Sequence, residues 1–296
     1  MPDDDGDMLS LSSITNEIVN EYFKSGSIKE VARRFNLTYW KVWRLLNKLG
    51  IAHKYHKPRI CPILVDYNDS ELTNLDEMRL RLPNDIYLKI VVIKATDELL
   101  WAIGHALGDG TYTEDSFRLL GSPKKLPVKI VIEEYVDRIA KTFTNGKYYV
   151  DYFIWDEEKK TWTKVNDLTV ADKWQIRLES RVLSRIYKAI RKNCEFMDVL
   201  AKNWEPVFAG IFDSDGYQRI QRGKWIIISQ SIGEKFNAIC QLLRTANICF
   251  RLWSGGSRNK LTSNGKRTKP NYHLAVDYED VKHSISRYSL RMNHSF

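Results

Sequence analysis

Cysteine is scarce in this 296-residue chain and follows no metal-binding or redox pattern. The four cysteines are Cys61, Cys194, Cys240 and Cys249, and they include no CxxC pair and no zinc-like spacing. We therefore expect reduced, mostly buried thiols. This excludes a disulfide scaffold and a structural zinc site.

Long apolar runs and targeting segments are also missing. No apolar stretch reaches the roughly 20 residues that cross a bilayer, and no signal peptide precedes the first predicted helix. The length predicts about two domains with room for real hydrophobic cores. We expect a soluble intracellular protein, located in the cytoplasm, the nucleoid or an organelle matrix.

Acidic residues are fewer than basic ones, 37 against 46, so the formal net charge is +9. Asp3, Asp4, Asp5 and Asp7 fall in a tail, residues 1–12, that we predict to be disordered, which leaves the remainder more basic still. Such a balance is typical of proteins that bind nucleic acid, although many other soluble proteins are equally basic.

A short phrase that ends in Asp-Gly occurs twice, as WAIGHALGDG at Trp101–Gly110 and as VFAGIFDSDG at Val207–Gly216. In both copies, small residues recur at helical spacing just before the acid. The aligned positions are Gly104 with Gly210, Gly108 with Ser214, and Asp109 with Asp215. This repetition is the pattern of an internally duplicated domain.

Both copies have the periodicity of helices that begin at Thr96 and Asn203, which can serve as N-caps. The small residues on one face of each helix would let two helix backbones approach closely. That approach would place Asp109 and Asp215 side by side.

Two adjacent carboxylates at helix C-termini repel each other and face the negative end of each helix dipole, which is unfavourable by roughly 0.3–1 kcal/mol. A divalent cation removes this conflict, and Mg²⁺ commonly binds one or two protein carboxylates together with a substrate phosphate. A single Asp-Gly is usually a helix-ending turn. The prediction of a metal site at Asp109 and Asp215 therefore depends on their matching contexts.

The segments around each phrase predict one order of elements: helix, two strands, helix, two strands and helix. In residues 95–200 we predict strands at 117–122, 147–155 and 173–179 and further helices at 127–142 and 180–192. In residues 201–296 we predict strands at 217–221, 224–230, 248–253 and 271–277, a helix at 233–246 and a terminal helix. The fold class is therefore α+β, with a duplicated αββαββα domain.

Apolar and polar residues alternate along the predicted strands, so each strand has a core face and a solvent face. In residues 173–179, for example, Trp174 is expected to point to one face and Gln175 and Arg177 to the other. Gln and Arg side chains read adenine and guanine edges, and a two-stranded ribbon fits the major groove. An ordinary solvated sheet face is the alternative. The predicted DNA contacts are Gln175, Arg177, Arg219, Gln221 and Arg251 on the strands, and Arg258, Lys260, Lys266 and Arg267 in a basic loop directed at phosphate.

Residues 13–52 form a separate unit with three helical patterns, at 14–24, 27–35 and 38–49. They resemble the helix-turn-helix domains of DNA invertases, resolvases and many repressors, with Thr38 as the cap of the last helix. The resemblance implies that this helix faces a DNA groove through Tyr39, Trp40, Lys41 and Arg44. A small helical interaction module is the alternative. Residues 53–94 are predicted to be a linker, within which residues 87–93 resemble a strand or the start of the domain that follows.

The repeated phrases resemble the signature of the LAGLIDADG homing endonucleases: FAGIFDSDG matches at most positions and AIGHALGDG more loosely. The resemblance covers roughly residues 95–290. It implies a monomer with two pseudo-symmetric halves, a saddle of two sheets on double-stranded DNA, and cleavage of both strands across the minor groove to leave short 3′ overhangs. It also implies that Asp109 and Asp215 bind Mg²⁺ or Mn²⁺, aided by the carbonyls of Gly108 and Ser214.

The first phrase departs from the signature at two positions. Leu107 stands where an acid is frequent, and His105 stands where an apolar residue is expected. We interpret His105 as a packed, hydrogen-bonded histidine and not as a catalyst. Gln230 is the candidate for organising the attacking water, and Lys124 and Lys224 are further candidates. Without the supporting lysine that the family uses, cleavage would be slow or lost.

The sequence therefore predicts a site-specific double-strand DNA endonuclease of the kind associated with intron or intein mobility, with an N-terminal domain that strengthens target contact. A non-catalytic DNA-binding regulator and an RNA maturase that aids intron splicing remain alternatives. Neither alternative needs two carboxylates held together, so the acid pair favours the nuclease.

Overall fold

A computed structural model of the protein describes residues 6–25, 27–49, 59–66, 75–82, 86–219, 224–255 and 271–293. The chain is a mixed α+β protein, and its two larger sheets are antiparallel. It divides into two compact units, residues 1–61 with 77–90 and residues 62–76 with 91–296. In the described ranges, no helix is long and apolar enough to cross a membrane.

The first unit contains the helices α1 (Gly6–Ser25), α2 (Ile28–Arg34) and α3 (Tyr39–Lys48). Their apolar side chains form a small core of Ile18, Val31, Ala32, Val42 and Leu46. Thr38 caps α3 as predicted, because its hydroxyl accepts a hydrogen bond of 3.3 Å from the Lys41 amide. Helix α1 begins inside the segment that we predicted to be disordered, since residues 7–13 contain no glycine or proline to break it.

Strands also lie within the segment predicted as a linker. They are β1 (Arg59–Asp66), β2 (Leu75–Leu82) and β3 (Ile86–Ala95), which form a sheet in the order β1-β3-β2. Of these strands, only β3 was expected, at residues 87–93. Its apolar, β-branched sequence favours a strand, and Val91 and Ile93 are buried.

The second unit contains the two larger sheets and the helices that accompany them. Residues 97–202 form α4 (Asp97–Asp109), β4 (Gly110–Tyr112), β5 (Phe117–Gly121), α5 (Val128–Val131), a π-helical turn (Ile132–Val136), α6 (Asp137–Phe143), β6 (Tyr149–Asp156), β7 (Thr161–Val165), a 3-10 turn (Leu168–Val170), β8 (Lys173–Leu178), α7 (Arg181–Asn193) and α8 (Met197–Lys202). Residues 204–293 form α9 (Trp204–Asp215), β9 (Gly216–Arg219), β10 (Trp225–Ser231), α10 (Glu234–Thr245), β11 (Phe250–Ser254), β12 (Asn271–Asp277), α11 (Tyr278–Tyr288) and α12 (Leu290–Asn293).

The two antiparallel sheets have corresponding strand orders, β4-β5-β8-β6-β7 and β9-β10-β12-β11. In each sheet the strand that follows the Asp-Gly is at one edge, and the last strand is paired with the second. Strands β4 and β7 and helix α8 were not predicted. Strand β8 alternates as expected, with Trp174, Ile176 and Leu178 buried and Gln175 and Arg177 partly exposed.

Helices α4 and α9 pack with their backbones in direct contact. A Cβ at Gly104 would overlap the Val207 carbonyl, and one at Gly210 would overlap the Trp101 carbonyl. The apolar residues of both phrases are buried, and α4 contacts β5 while α9 contacts β10. The small residues of the two phrases therefore allow the close approach of the two helix backbones, as their spacing predicted.

The predicted N-caps of these helices differ in outcome. Thr96 accepts a hydrogen bond of 3.3 Å from the Leu99 amide and is confirmed as a cap. The prediction for Asn203 is wrong, because its side-chain amide donates to the Val199 carbonyl at 3.1 Å and to Asp66 at 3.4 Å. The contact with Asp66 joins positions far apart in the sequence, so no local pattern indicated it.

Asp213 ties the second phrase to residues 289–291. Its buried carboxylate accepts hydrogen bonds from the Trp101 indole at 3.0 Å, from the Leu290 amide at 2.8 Å and from the Ser289 hydroxyl. Arg291 in turn donates to the Gly216 carbonyl at 2.8 Å, just beyond the end of α9. Burial raises the pKa of Asp213 to about 6.

His105 is packed between two indoles, with ring centroids 4.9 Å from Trp101 and 5.7 Å from Trp174. Its side chain is buried, and its Nδ1 has no hydrogen-bond partner among the described residues. Packing was predicted correctly, whereas the expected hydrogen bond is missing at this nitrogen. Burial lowers the pKa of His105 to about 3.

The cysteines only partly match expectation. All four are free thiols, but Cys61 and Cys249 are exposed and only Cys240 is buried. The prediction of mostly buried thiols is wrong because both exposed cysteines are at edge strands. Cys61 lies in β1, and Cys249 directly precedes β11.

We expect the substitution Gly104→Ala to lower the free energy of unfolding by about 1–3 kcal/mol, because the added methyl group would force α4 and α9 apart. Gly233→Ala is the matched control, since a Cβ there would meet no atom within 4 Å. Urea denaturation of both variants measures the difference. Equal stability of the two variants would contradict the backbone contact.

The buried His105 predicts a pH-dependent component of stability. A neutral histidine with a lowered pKa contributes stability that is complete above about pH 6.5 and is lost progressively as the pH falls toward its folded value. His105→Phe should remove this component, so lowering the pH from about 7.5 to about 5 should destabilise the parent by on the order of 2 kcal/mol more than the variant. Urea titrations at the two pH values test this. If the parent and His105→Phe lose the same free energy of unfolding, the ring is hydrated and the explanation is wrong.

Candidate active site

Asp109 and Asp215 are the last residues of α4 and α9, and each is followed by the glycine that ends its helix. The two helix ends lie together. A Cβ placed on Gly108 would overlap the Ser214 side chain and lie 3.4 Å from the Asp215 carboxyl carbon. The carboxyl group of Asp215 therefore rests against the last turn of α4, beside Asp109.

The two acids influence each other's ionisation. Desolvation by the surrounding protein raises the pKa of Asp215 to about 6, and the negative charge of Asp109 adds to this shift. Desolvation also raises the pKa of Asp109, against the opposing positive charges of Lys235, Lys125 and Lys173. The pair is thus a destabilised anionic site that a cation would stabilise.

Gln230, predicted from the sequence, is brought to this site by β10. Its side-chain nitrogen donates to the Asp215 carboxylate at 2.7 Å, to the Leu107 carbonyl at 2.7 Å and to the Gly108 carbonyl at 3.2 Å. The residue is buried. One amide therefore joins the end of α4 to the acid at the end of α9 and fixes the orientation of that acid.

Lys235 was missed in the sequence. It lies in the first turn of α10, and its Nζ donates to the Gly108 carbonyl at 2.6 Å. Burial lowers its pKa to about 8, while Asp109 and Asp215 act in the opposite direction. A lysine in a first helical turn looks like a solvated residue, and only the short distance along the chain from Gln230 could have indicated it.

The lysines named from the sequence lie in other contacts. Lys124 forms a long ion pair of 3.9 Å with Asp172, and the Lys224 ammonium lies over the Tyr278 ring at 5.6 Å. Lys125 is instead the neighbour whose charge acts on both acids.

The donor set of the site fits a hard divalent cation with few protein ligands. The protein offers two carboxylates, and in the described part of the chain no cluster of three or more His, Cys, Asp or Glu side chains could hold a metal. The Gly108 carbonyl, expected as a ligand, already accepts from Gln230 and Lys235. Water and a substrate phosphate would have to complete the coordination, which is the way that Mg²⁺ is usually bound.

An open cleft of about 540 Å³ gives access to this site. Its lining includes Gly108, Arg191, Asp215, Gln230, Lys235 and Asn271. Asp215 can therefore be reached from solvent through this cleft, and Asp109 is itself exposed.

The residues predicted to contact DNA are spread over exposed surfaces. Gln175 and Arg177 lie on the solvent side of β8, while Arg219 and Arg251 are exposed on β9 and β11, the latter over the Trp225 ring at 5.0 Å. Tyr39, Trp40, Lys41 and Arg44 are exposed on α3, with 63% of the Trp40 surface accessible. Gln221, Arg258, Lys260, Lys266 and Arg267 lie outside the described residues.

No protein-family model and no curated protein sequence matches the chain. Similar solved structures include the homing endonuclease I-WcaI bound to its DNA recognition sequence, at 14% identity and a TM-score of 0.41, over 66% of this chain and 83% of that chain. They also include a variant of I-DmoI in complex with its target DNA in the presence of manganese, at 10% identity and a TM-score of 0.36, over 66% and 93%. At such values the function has to follow from the residues themselves.

The acid pair predicts the effect of Asp215→Asn on stability when divalent ions are removed with EDTA. A raised pKa means that the folded state loses stability as the pH rises from about 3.8, the unfolded value, to about 6, so the neutral amide should stabilise the protein at about pH 7.5 by about 1–2 kcal/mol after allowance for solvent screening. At about pH 4.5 this gain should fall to roughly a third, because the folded parent acid is then protonated while the unfolded acid is still mostly ionised. Glu158→Gln, an exposed acid on the turn between β6 and β7, is the control in thermal melts. A gain of the same size at both pH values would rule out this explanation.

Proposed function

We propose that this protein is a site-specific double-strand DNA endonuclease that hydrolyses phosphodiester bonds with a bound divalent ion, Mg²⁺ or Mn²⁺. The observation that carries the proposal is the placement of Asp109 and Asp215 at the ends of two helices whose backbones touch. A purely structural helix pair gains nothing from two like charges at its end. An acid pair in an open cleft with lysines beside it suits a phosphate substrate and its metal ion.

Bound at the acid pair, the metal would polarise the attacking water and stabilise the leaving oxygen. The protein groups position and complement this chemistry. Asp109 and Asp215 supply the anionic oxygens, and Gln230 holds the second of them in one orientation. Lys235 places a positive charge beside both acids, where it can attract the phosphodiester and stabilise charge that develops on it.

The two antiparallel sheets are the proposed platform for DNA. Their corresponding strand orders support a duplicated domain with two pseudo-symmetric halves in one chain, which would act as a monomer on a duplex. Gln175 and Arg177 on one sheet and Arg219 and Arg251 on the other have the chemistry that reads base edges. The net charge of +9 favours the phosphate backbone as a partner.

The three-helix unit is the proposed second DNA-binding element. Helix α3 follows a capping threonine and exposes Tyr39, Trp40, Lys41 and Arg44, as a recognition helix in a helix-turn-helix domain does. Such a unit would lengthen the recognised sequence, as a nuclease that acts at a single genomic site requires. This site specificity fits a role in the mobility of an intron or an intein.

A digest of a supercoiled plasmid library tests the proposal. The parent protein should give linear product with Mg²⁺ or Mn²⁺ and none with EDTA. Asp215→Asn should reduce the rate by more than the roughly 10- to 100-fold that loss of a supporting group costs a metal site. Glu158→Gln should cut like the parent.

The other outcomes of the digest separate the alternative functions. Tight, sequence-specific binding of duplex DNA without cleavage would favour a DNA-binding regulator. Preferential binding of intron RNA with acceleration of its splicing would favour a maturase.

A further inference from the structure

A second cleft, of about 510 Å³, lies where β5 begins and β8 ends. This is the end of the first sheet opposite to Gly121, which pairs with Trp174. The cleft is lined by Thr113, Asp115, Ser116, Arg118, Arg177, Glu179 and Arg181. Three of these side chains are guanidinium groups and two are carboxylates, which leaves one positive charge in excess.

Arg118 and Arg177 are direct neighbours across the β5–β8 pair. Like charges directly opposite each other destabilise a sheet, so their placement calls for an anion between or above them. Arg181 adds a third guanidinium from the first turn of α7, next to the same strand ends.

Each of the two strand arginines is held in place by a neutral neighbour. The Arg118 Nε donates to the Ser116 hydroxyl at 3.1 Å, which orients its guanidinium without neutralising it. The Arg177 guanidinium lies over the Tyr149 ring at 4.7 Å, and its Nε is 3.7 Å from the Glu179 carboxylate, too far for a hydrogen bond.

The β4–β5 turn, which also lines the cleft, is held together by several hydrogen bonds. The Thr113 amide donates to the Ser116 carbonyl at 2.8 Å, and the two hydroxyls are 2.7 Å apart. The Ser184 hydroxyl of α7 donates to the Thr113 carbonyl, and Arg181 lies 3.3 Å from Asp115. The turn and the helix therefore hold the arginines at fixed positions before any ligand arrives.

We propose that this cleft binds a phosphate group of the DNA backbone, and that Arg118 and Arg181 join Arg177 in this contact. The inference rests on the proposed function, and it adds a clamp at the end of the first sheet. Convergent guanidinium groups with an excess positive charge bind phosphate oxygens in paired hydrogen bonds. A guanine edge accepts one such arginine and carries no net charge, so it would leave the excess positive charge of the cleft uncompensated.

The test compares Arg118→Met with Lys188→Met in the full-length protein. Lys188 is exposed on α7 and does not line the cleft, so both variants lose one positive charge. Binding to several fluorescein-labelled duplexes of different sequence is measured in EDTA between about 50 and about 200 mM NaCl. Relief of the repulsion between opposed arginines should leave Arg118→Met at least as stable to heat as the parent.

The loss of one phosphate contact lowers the slope of log binding constant against log salt by about 0.9. Arg118→Met should therefore lose about threefold less affinity than the parent over this salt range. The affinity of Arg118→Met should be lower than that of the parent by about the same factor for every duplex sequence. Lys188→Met should keep the parent slope, and Arg118→Lys should largely keep it, because an ammonium group also neutralises a phosphate.

Three results would overturn the assignment. If Arg118→Met keeps the salt slope of the parent and loses affinity only for particular duplex sequences, Arg118 contacts a base. That result would leave the proposed function intact. If inorganic phosphate raises the thermal stability of the parent but not that of Arg118→Met, and both proteins have the same salt slope for DNA binding, the cleft is a site for free anions. Failure of the parent itself to bind any duplex would refute the proposed function together with the clamp.

Discussion

The direct contact between the backbones of α4 and α9 is the constraint on which the second unit depends. It is possible only because Gly104 and Gly210 have no side chain at the crossing. Each helix is followed directly by the edge strand of one sheet, and that strand begins at the glycine after the acid. The helix crossing therefore also fixes where the edge strands of the two sheets begin relative to each other. The acids at the helix ends inherit their proximity from this contact and not from any attraction between them.

The site at the helix ends is asymmetric in its supporting groups. Gln230 and Lys235 both come from the second half, yet both bind the carbonyl at the end of the first motif helix. At the corresponding register of the first sheet, Gly121 pairs with Trp174 where Gln230 pairs with Tyr272. The first half instead contributes the charges of Lys125 and Lys173. The two helix ends therefore carry matching acids, whereas the groups around them differ.

Local patterns in the sequence predicted the parts of the fold that local physics determines. The small-residue spacing predicted the helix crossing, two-residue alternation predicted the faces of β8, and the Thr96 and Thr38 caps are confirmed. The failures involve partners distant in sequence. Lys235 reaches Gly108 and Asn203 reaches Asp66 across long stretches of chain, and neither residue differs in its local context from a solvated one. Strands β1 and β2 were missed because they flank a segment whose composition resembles a linker.

The buried carboxylate of Asp213 has a consequence for synthesis of the protein. Its hydrogen bonds join Trp101 in the first phrase to Ser289 and Leu290, near the far end of the described chain. A ribosome delivers these residues in order, so the network that seats α4 against α9 can close only after residue 290 has emerged. An interrupted translation product that stops before this point contains both acids but lacks the donors at residues 289–291, so the Asp213 carboxylate keeps the Trp101 indole and loses its other described hydrogen bonds. Fragments of this kind would be poorly folded, so the acid pair would be assembled only in chains that extend past this point.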